Sequence, residues 1–506
     1  MISSSPRTSR VLGATVVATV ACALLFVTLD DYGVTWDERL YLEQGASYAD
    51  WWLAPSLESI DEHWRRAHPP LSTTLGGLVR EVFAERLGWY DELDAHRAST
   101  VMFAFALHFF LFLFAADLFT PGLAVAVSAA FFCIPRVFFH AHLGALDYPV
   151  TALMLAASYA YWKGIARATW LLGAAFLVGL ALAAKPNAAL LGVPMGLLLA
   201  LQLWERRRDR SRLAMCLARQ IPMLVVPPLV FLAVWPWLWP APFERFVEYL
   251  GTQVQHFQVP VYWFGRVRAE APATYPFVMI AVGLPLAVLV PALLAPWRLV
   301  TGPDRAALAY VTAAALTPLV VLALPGIPKY DGVRLFLPAL PFWCLLAGAG
   351  LIQILERLPR WRPHRVAIGG YLVLLLGSVI PGWMRLHPYE YADFNLLIGG
   401  PRGAAERGFD LEYWGSAVGD ALPWIRAHPE ARYWMPLAPR VGPYYVETGA
   451  LPATVRFGDR DDSDLLLLLN RPGLQGPGLR RWVRSREPVY AVGPPGIELV
   501  GIYALP

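Results

Sequence analysis

Two adjacent carboxylates near the start of the chain have the type and spacing to do chemistry. Asp37 and Glu38 follow Trp36, a few residues after a long apolar segment. Ionised groups close to hydrocarbon are costly and tend to be functional. Adjacent residues on a helix point about 100° apart, so one acid can face a cavity while the other braces it. A solvated helix start is the alternative interpretation, because acids are favoured near a helix N-terminus.

Asp147 is a third candidate acid, near the predicted outer end of another apolar segment. The loop before that segment holds His140 and His142, whose spacing places them on one side of a strand but not of a helix. Nothing in the sequence completes a set of metal ligands around them. We therefore predict no cofactor, and a divalent metal stays as the alternative.

His68 stands directly before Pro69 and Pro70. The two prolines remove two backbone donors and force an extended entry into the helical pattern that follows. His68 is therefore held at a rigid corner, where it could contact a substrate. The alternative is that the prolines simply mark the boundary between loop and helix.

Four cations lie in short loops on the side where the charge rule for membrane proteins disfavours them: Arg136, Lys185, Lys329 and Arg334. Snorkelling to lipid headgroups would explain each of them singly. The alternative is binding of the phosphate of a lipid substrate, for which arginine offers a bidentate fork. The presence of all four beside the outer acids strengthens the phosphate interpretation.

Acids and cations at one membrane face suit the transfer of a sugar from a polyprenyl phosphate. A carboxylate would accept the proton of the attacking hydroxyl. Cations would stabilise the negative charge that grows on the leaving phosphate. The predicted catalytic residues are Asp37, Glu38 and Asp147, and the predicted substrate-binding residues are His68, Arg136, His142, Lys185, Lys329 and Arg334.

The composition indicates many membrane spans, and these spans would position the candidate residues. The 506 residues are 57% hydrophobic and 16% charged, against about 45–50% and about 25% in ordinary soluble proteins. The net charge of +4 and the lack of a charged tail do not indicate nucleic-acid binding. About eleven apolar runs approach spanning length, with limits near 11–29, 97–117, 121–139, 147–162, 169–184, 187–204, 219–238, 275–296, 306–325, 335–355 and 366–383.

Basic residues in the loops predict the orientation. With the N-terminus in the cytoplasm, the basic clusters 206–212 and 357–365 fall on the cytoplasmic side. The other side receives three long segments, at 30–96, 239–274 and from 384 onward. The run Trp-Pro-Trp-Leu-Trp at 235–239 is expected to anchor at the membrane interface.

The chain after the last span has the composition of a small folded domain rather than of a membrane segment. It mixes proline, glycine and charge with short apolar runs, and it predicts a helix at 423–428 and strands at 465–469 and 489–492. We predict a mainly α, polytopic membrane protein, with a transmembrane catalytic domain over 1–383 and a small extracytoplasmic α/β domain over 384–506.

The order and placement of these motifs resemble the protein O-mannosyltransferase and aminoarabinose transferase superfamily, especially its bacterial members. The resemblance covers roughly residues 10–385. It rests on Asp37-Glu38, His68-Pro-Pro-Leu71, Asp147-x-Pro149, Lys185-Pro-Asn187 and Asp331-Gly-Val-Arg-Leu-Phe-Leu-Pro338.

The resemblance implies a GT-C architecture, a polyprenyl-phosphate sugar donor and an inverting transfer on the outer side of a bacterial inner membrane. It implies Asp37 as the base, Glu38 as its neighbour and Asp147 as the second acid of the cleft. His68-Pro69 stands where the aminoarabinose transferases have Lys-Pro, which puts their lipid A acceptor in doubt here. The acceptor is therefore left open between glycan, lipid and protein.

Three other functions remain as alternatives. A transporter or flippase of lipid-linked sugars would be expected to place charges near the bilayer midplane, on paired repeats. A polysaccharide ligase or polymerase would rely on outer arginines and histidines, with less need for an Asp-Glu pair. A non-catalytic scaffold would leave the acids without a role.

Overall fold

The computed structural model describes residues 7–254, 257–302, 305–357 and 364–506, except the side chains of Arg7, Val254, Val300 and Thr301. Arg360 and Arg362 of the last predicted basic loop lie outside the described residues. The described helices are α1 Arg7–Val27, α2 Glu38–Leu53, α3 Ile60–His63, α4 Leu71–Arg80, α5 Glu92–Leu118, α6 Pro121–Phe132, α7 Pro135–Ala141, α8 Asp147–Gly164, α9 Thr169–Ala184, α10 Gly192–Arg206, α11 Arg210–Ala218, α12 Ile221–Ala233, α13 Pro242–Val254, α14 Tyr275–Gly283, α15 Leu286–Thr301, α16 Arg305–Ala323, α17 Leu340–Arg357, α18 His364–Leu386, α19 Gly400–Glu406, α20 Leu422–Ala427, α21 Val441–Glu447 and α22 Pro477–Arg484.

The chain is a multi-pass integral membrane protein. Within the described ranges, seven helices are long and apolar enough to cross a membrane, or eight if the bent pair α6 and α7 counts as one span. α9 and part of α15 are shorter apolar helices. The predicted membrane class is thus confirmed, whereas the count of eleven spans stays a prediction.

Prolines explain where predicted spans are broken. The run at 121–139 bends by 76° between α6 and α7, and α7 begins at Pro135. The run at 275–296 breaks between α14 and α15, where Pro285 precedes the first residue of α15. Proline lacks the amide hydrogen that continues a helix and clashes with the preceding turn, so each break coincides with one.

Ion pairs at the two ends of α5 mark two opposite faces of the helical bundle. Near its start, Arg97 pairs with Glu38. At its end, Asp117 pairs with Arg10 of α1 and Lys163 of α8. A rise of 1.5 Å per residue separates Arg97 from Asp117 by about 30 Å, the thickness of the hydrocarbon core of a bilayer. We call the end with Glu38 the site face and the end with Asp117 the opposite face.

The segment at 30–96, which we call the first outer segment after its predicted location, is a folded cover on the site face rather than an open loop. It contains α2, α3 and α4, and an aromatic cluster joins it to the start of the second outer segment. Trp235 is fully buried there and packs against Tyr249 of α13. The expectation that Trp235 anchors at the membrane interface is therefore wrong, because neighbouring protein, not lipid, covers its ring.

The chain after α18, which we call the tail, folds around a five-stranded mixed sheet. Two short strands, β1 Val261–Trp263 and β2 Arg266–Arg268, form a separate hairpin in the second outer segment. The sheet has the order β4-β3-β5-β7-β6. Its strands are β3 Arg432–Trp434, β4 Arg456–Gly458, β5 Leu465–Leu469, β6 Tyr490–Val492 and β7 Val500–Ala504.

The strand predicted at 465–469 is confirmed as β5, the predicted second strand as β6, and the predicted helix as α20. Almost the whole of β5 is buried, as expected for a central strand covered on both faces. The tail also packs directly on the first outer segment: the amide of Trp36 donates to the carbonyl of Trp414 over 2.7 Å. The predicted division into domains at residue 384 stays a prediction.

Candidate active site

The side chains of the two adjacent acids point in different directions at the start of α2. Glu38 is its first residue and Asp37 precedes it. The side chain of Asp37 is 34% exposed, whereas that of Glu38 is 1% exposed. Adjacent residues at a helix start point in different directions, so one carboxylate meets solvent while the other enters the protein.

Glu38 is held by an arginine that the sequence prediction overlooked. Arg97 donates from Nε and Nη2 to the two oxygens of Glu38 over 2.7 and 2.8 Å. The backbone amides of Thr35 and Gly144 donate to the same carboxylate. Burial raises the pKa of Glu38, but the Arg97 charge and these donors lower it more, so the net pKa lies below its usual value. Glu38 is placed to fix the start of α2, beside Asp37.

Asp147 and Lys185 meet because α8 and α9 are antiparallel. Asp147 begins α8, and Lys185 directly follows α9. Lys185 Nζ donates to one oxygen of Asp147, and Arg334 Nε donates to the other over 3.1 Å. Pro186 follows Lys185 and starts a 3-10 helix, so the lysine stands at a fixed corner of the chain.

Arg334 connects three carboxylates. Besides Asp147, its Nη2 donates to Asp37 over 2.6 Å and its Nη1 to Asp331 over 2.9 Å. Its guanidinium carbon lies 4.3 Å from the centre of the Trp414 ring, a cation–π geometry. The planar fork of arginine suits this role, because its donors point in fixed and different directions.

The turn that presents Asp331 is strained. Asp331 has φ +57° and Gly332 has φ +65°. The left-handed region is unfavourable for non-glycine residues, and such strain clusters at functional sites. A Cβ at position 332 would also lie 2.3 Å from Nη1 of Arg136, so the positive φ and this close approach together favour glycine there. The tail then fixes Asp331 through Arg471 Nη2, which donates over 2.6 Å.

The charges of this cluster are balanced and alternate in space. Three carboxylates, on Asp37, Asp147 and Asp331, meet three cations, on Lys185, Arg334 and Arg471. Five of the six side chains are at most 16% exposed, and Asp37 is the sixth. A proton acceptor open to solvent therefore stands beside cations that face the same site.

The remaining predicted substrate-binding residues lie outside this cluster or at its edge. Arg136 is buried, donates to the carbonyl of Asp393 and lies over the Phe394 ring. Lys329 donates to backbone carbonyls and to Glu270, and it is 3% exposed. His142 is buried and bonds Thr28 and the carbonyl of Phe138. The His68 ring lies 6.3 Å from that of Tyr41.

Two cationic residues of the site were missed for different reasons. Arg97 stands at the first position of a predicted span, where an arginine at the start of an apolar run is itself a signal of a buried partner. Arg471 follows the strand β5 in the tail, more than 100 residues from its partner Asp331, and carries no local signal of that kind. Among the residues that the structure describes, no group of three or more His, Cys, Asp or Glu is placed to hold a metal ion.

A second charged group lies on the site face, where the chain leaves α18. His387 contacts Glu390 through Nδ1 over 2.6 Å and Asp31 through Nε2 over 2.8 Å. The hydrogen bond and charge of Glu390, aided by Asp31 and opposed by partial burial, raise the pKa of His387 to about 9. This cation joins the end of α1 to the start of the tail.

Comparisons with known proteins concern the fold. Neither a protein-family model nor a curated protein matches the sequence. ArnT from Cupriavidus metallidurans bound to undecaprenyl phosphate aligns with a TM-score of 0.53 at 17% identity, over 97% of this chain and 97% of that chain. The apo state of the same protein gives 0.54 at 15% identity, over 99% and 98%. The apo oligosaccharyltransferase of Archaeoglobus fulgidus gives 0.47 at 12% identity over 89% of this chain and 65% of that chain, too low a score to support an argument. The predicted GT-C architecture is thus confirmed at the level of the fold, because this chain has the fold of ArnT over nearly its whole length.

Proposed function

We propose that this protein transfers a sugar from a polyprenyl-phosphate donor to a hydroxyl of an extracytoplasmic acceptor, with inversion at the anomeric carbon. One observation carries the proposal: Asp37 is a solvent-reached carboxylate fixed by Arg334 within a cluster of otherwise buried charges. The donor class is supported by the fold, since one of the matching ArnT structures is bound to undecaprenyl phosphate.

The proposed step moves one proton and exchanges one bond. Asp37 accepts the proton of the acceptor hydroxyl while that oxygen forms a bond to the anomeric carbon. The bond from the anomeric carbon to the phosphate oxygen breaks, and its electron pair leaves with the polyprenyl phosphate. Attack on the face opposite the leaving group inverts the anomeric centre. Glu38 and Asp147 act as positioning residues, because both are buried and paired with cations.

Lys185 is the cation best placed to meet the leaving phosphate. Its ammonium has three donors, and the described residues use one of them, for Asp147. Each nitrogen of the Arg334 guanidinium donates to a carboxylate, so this side chain mainly orients Asp37. Fixed cations beside the leaving oxygen lower the barrier because charge grows there in the transition state.

The placement of the charges favours transfer over transport. The cluster lies at one end of α8 and α9, whereas transporters bind near the bilayer midplane between related repeats. We further propose that the site face is extracytoplasmic and the opposite face cytoplasmic, in a bacterial inner membrane. The sugar, hexose or pentose, and the acceptor are left open.

Replacing Asp37 by asparagine tests the proposal. Purified protein is incubated with a radiolabelled polyprenyl-phosphate sugar and an extract of bacterial envelope acceptors, and the released polyprenyl phosphate is measured. We expect Asp37→Asn to lose about 10²- to 10⁴-fold in turnover, the usual contribution of a general base, with donor binding kept. Asp50→Asn is the matched control, since it neutralises an exposed acid on the same helix α2. Equal turnover in both variants would overturn the assignment of Asp37.

A further inference from the structure

A small cavity, open to solvent, lies on the opposite face of the bundle, away from the candidate active site. It is bounded by the end of α8, the start of α9, the end of α10, the helix α11 and the residues before α12. Gly164, which ends α8, lines it, whereas Asp147, which begins α8, belongs to the active site. The 18 residues of α8 span about 27 Å at 1.5 Å per residue. The two sites therefore lie at opposite ends of the same helices.

The cavity is lined by cations with little compensating negative charge. Arg206, Arg212 and Arg219 all line it. Arg212 pairs with Asp209 at the surface over 3.1 Å. Arg206 bonds the backbone carbonyl of Gln202 over 3.1 Å, and Arg219 contacts a thioether sulfur. In the described part of the chain, neither Arg206 nor Arg219 has a carboxylate partner, so the cavity carries an excess of positive charge.

Two glutamines add neutral donors. The oxygen of the Gln220 side chain accepts from the Tyr161 hydroxyl over 3.2 Å, and that of Gln202 accepts from the Cys216 thiol over 3.7 Å. Because both oxygens serve as acceptors, the amide N–H groups of both glutamines are left as donors without a partner among the described residues. Arginine forks and amide donors together form the usual environment of a phosphate oxyanion.

The surroundings of the cavity identify a lipid as the source of that phosphate. The helices α11 and α12 expose large apolar side chains beside it: Met215, Leu217, Ile221 and Leu224 are each about half exposed or more. Apolar side chains in this position suit acyl chains. Basic pockets between membrane helices on the cytoplasmic side are the type of site that binds anionic headgroups.

We propose that this cavity binds the phosphodiester headgroup of an anionic phospholipid in the leaflet opposite the active site. Arg206 and Arg219 contact the phosphate, the two glutamines donate to its oxygens, and the acyl chains lie along α11 and α12. The lipid ties the basic segment 206–219 to the ends of α8 and α9. This inference is independent of the proposed transferase activity.

The test measures lipid-dependent stability and affinity in delipidated protein. Purified full-length protein in a neutral detergent receives phosphatidylglycerol, phosphatidylcholine or inorganic phosphate, and thermal unfolding and native mass spectrometry are recorded. Arg206→Ala with Arg219→Ala removes the site. Arg208→Ala with Arg210→Ala is the matched control, because it removes the same charge from the same segment at exposed positions that do not line the cavity.

We expect phosphatidylglycerol to stabilise the wild type and the control but not the site variant, with affinity for the lipid weakened on the order of tenfold or more. The single variant Arg219→Ala guards against misfolding, since that side chain is exposed and donates a weak hydrogen bond to a thioether sulfur. It should weaken lipid binding with unchanged stability in detergent alone. Equal loss in site and control variants, or equal stabilisation by phosphatidylcholine, would overturn the proposal. Equal stabilisation by inorganic phosphate would replace the lipid by a free anion and also overturn it.

Discussion

Removing Arg97 tests how strongly its buried pair with Glu38 stabilises the fold at the start of α2, beside the proposed base. Both side chains are buried, and two hydrogen bonds join them. In Arg97→Met the carboxylate keeps two backbone donors but loses its counter-charge. Breaking a buried pair from one side costs about 3–5 kcal/mol, because the remaining charge stays buried and uncompensated. We expect the free energy of unfolding to fall by about that amount.

Denaturant unfolding in detergent, followed by tryptophan fluorescence, measures this loss. Arg39→Ala is the matched control: Arg39 pairs with Glu43 and Glu447, which are more than half exposed, and exposed pairs contribute about 0–1 kcal/mol. The double variant Arg97→Met with Glu38→Gln should be more stable than Arg97→Met alone, since the side chain at position 38 is then neutral and no longer lies buried as a charge without its arginine. A non-additive cycle is the signature of direct coupling.

The pH dependence gives this prediction an independent check. The pKa of Glu38 is lowered in the folded protein. The stability that the ionised Glu38 contributes is therefore present above its unfolded-state pKa of 4.5 and is lost as the pH falls through the lowered pKa. The stability difference between wild type and Arg97→Met should therefore shrink below pH 4.5. A loss no larger than that of Arg39→Ala, or strictly additive single variants, would refute the reasoning.

Three further predictions concern the tail, the site face and the aromatic cluster. Arg471→Ala should lower the transfer rate about tenfold or more through displacement of its carboxylate partner, with partial rescue by lysine, whereas Arg481→Ala at an exposed position of α22 should leave transfer unchanged. The pKa of His387 is raised in the folded protein, so its ion pairs stabilise the fold fully below pH 6.5, and this stabilisation is lost as the pH rises through about 9. The difference in unfolding temperature between wild type and His387→Gln should therefore vanish toward pH 10, and a constant difference would contradict this prediction. Trp235→Ala should cost about 3–5 kcal/mol in denaturant unfolding because the ring is fully buried, and a similar cost for the exposed Trp204→Ala would show that burial is not the cause.

Much of the fold could be predicted because its determinants are local. Long apolar runs predict spans wherever the run is uninterrupted, as in α5, α16 and α18. The prolines at 135 and 285 show where two predicted runs divide into separate helices, since hydropathy alone does not register a missing backbone donor. Trp235 shows a second limit: its apolar ring fits a lipid interface and a protein core equally well, and only the packing of α13 decides between them.

The site was partly predictable for the same reason. Asp37, Asp147, Lys185 and Arg334 were selected as charges out of place beside apolar runs, and the structure brings them within one cluster. Arg136 and Lys329 carry the same sequence signal, yet Arg136 donates to the carbonyl of Asp393, and Lys329 to backbone carbonyls and Glu270, rather than to the carboxylates of the cluster. A charge in an unfavourable place predicts that a partner exists, not which partner it is.

The alternation of charges explains why the tail belongs to the site. Arg471 fixes Asp331, Asp331 fixes Arg334, and Arg334 fixes Asp37. Buried ion pairs contribute little net stability, because desolvation offsets their attraction. Their value here is positional: each donor has its acceptor in one geometry, so the exposed carboxylate is held by contacts that reach from the first outer segment to the tail. Any change that frees Asp331 should thus act on transfer through the orientation of Asp37, even though it removes no group that touches the substrate.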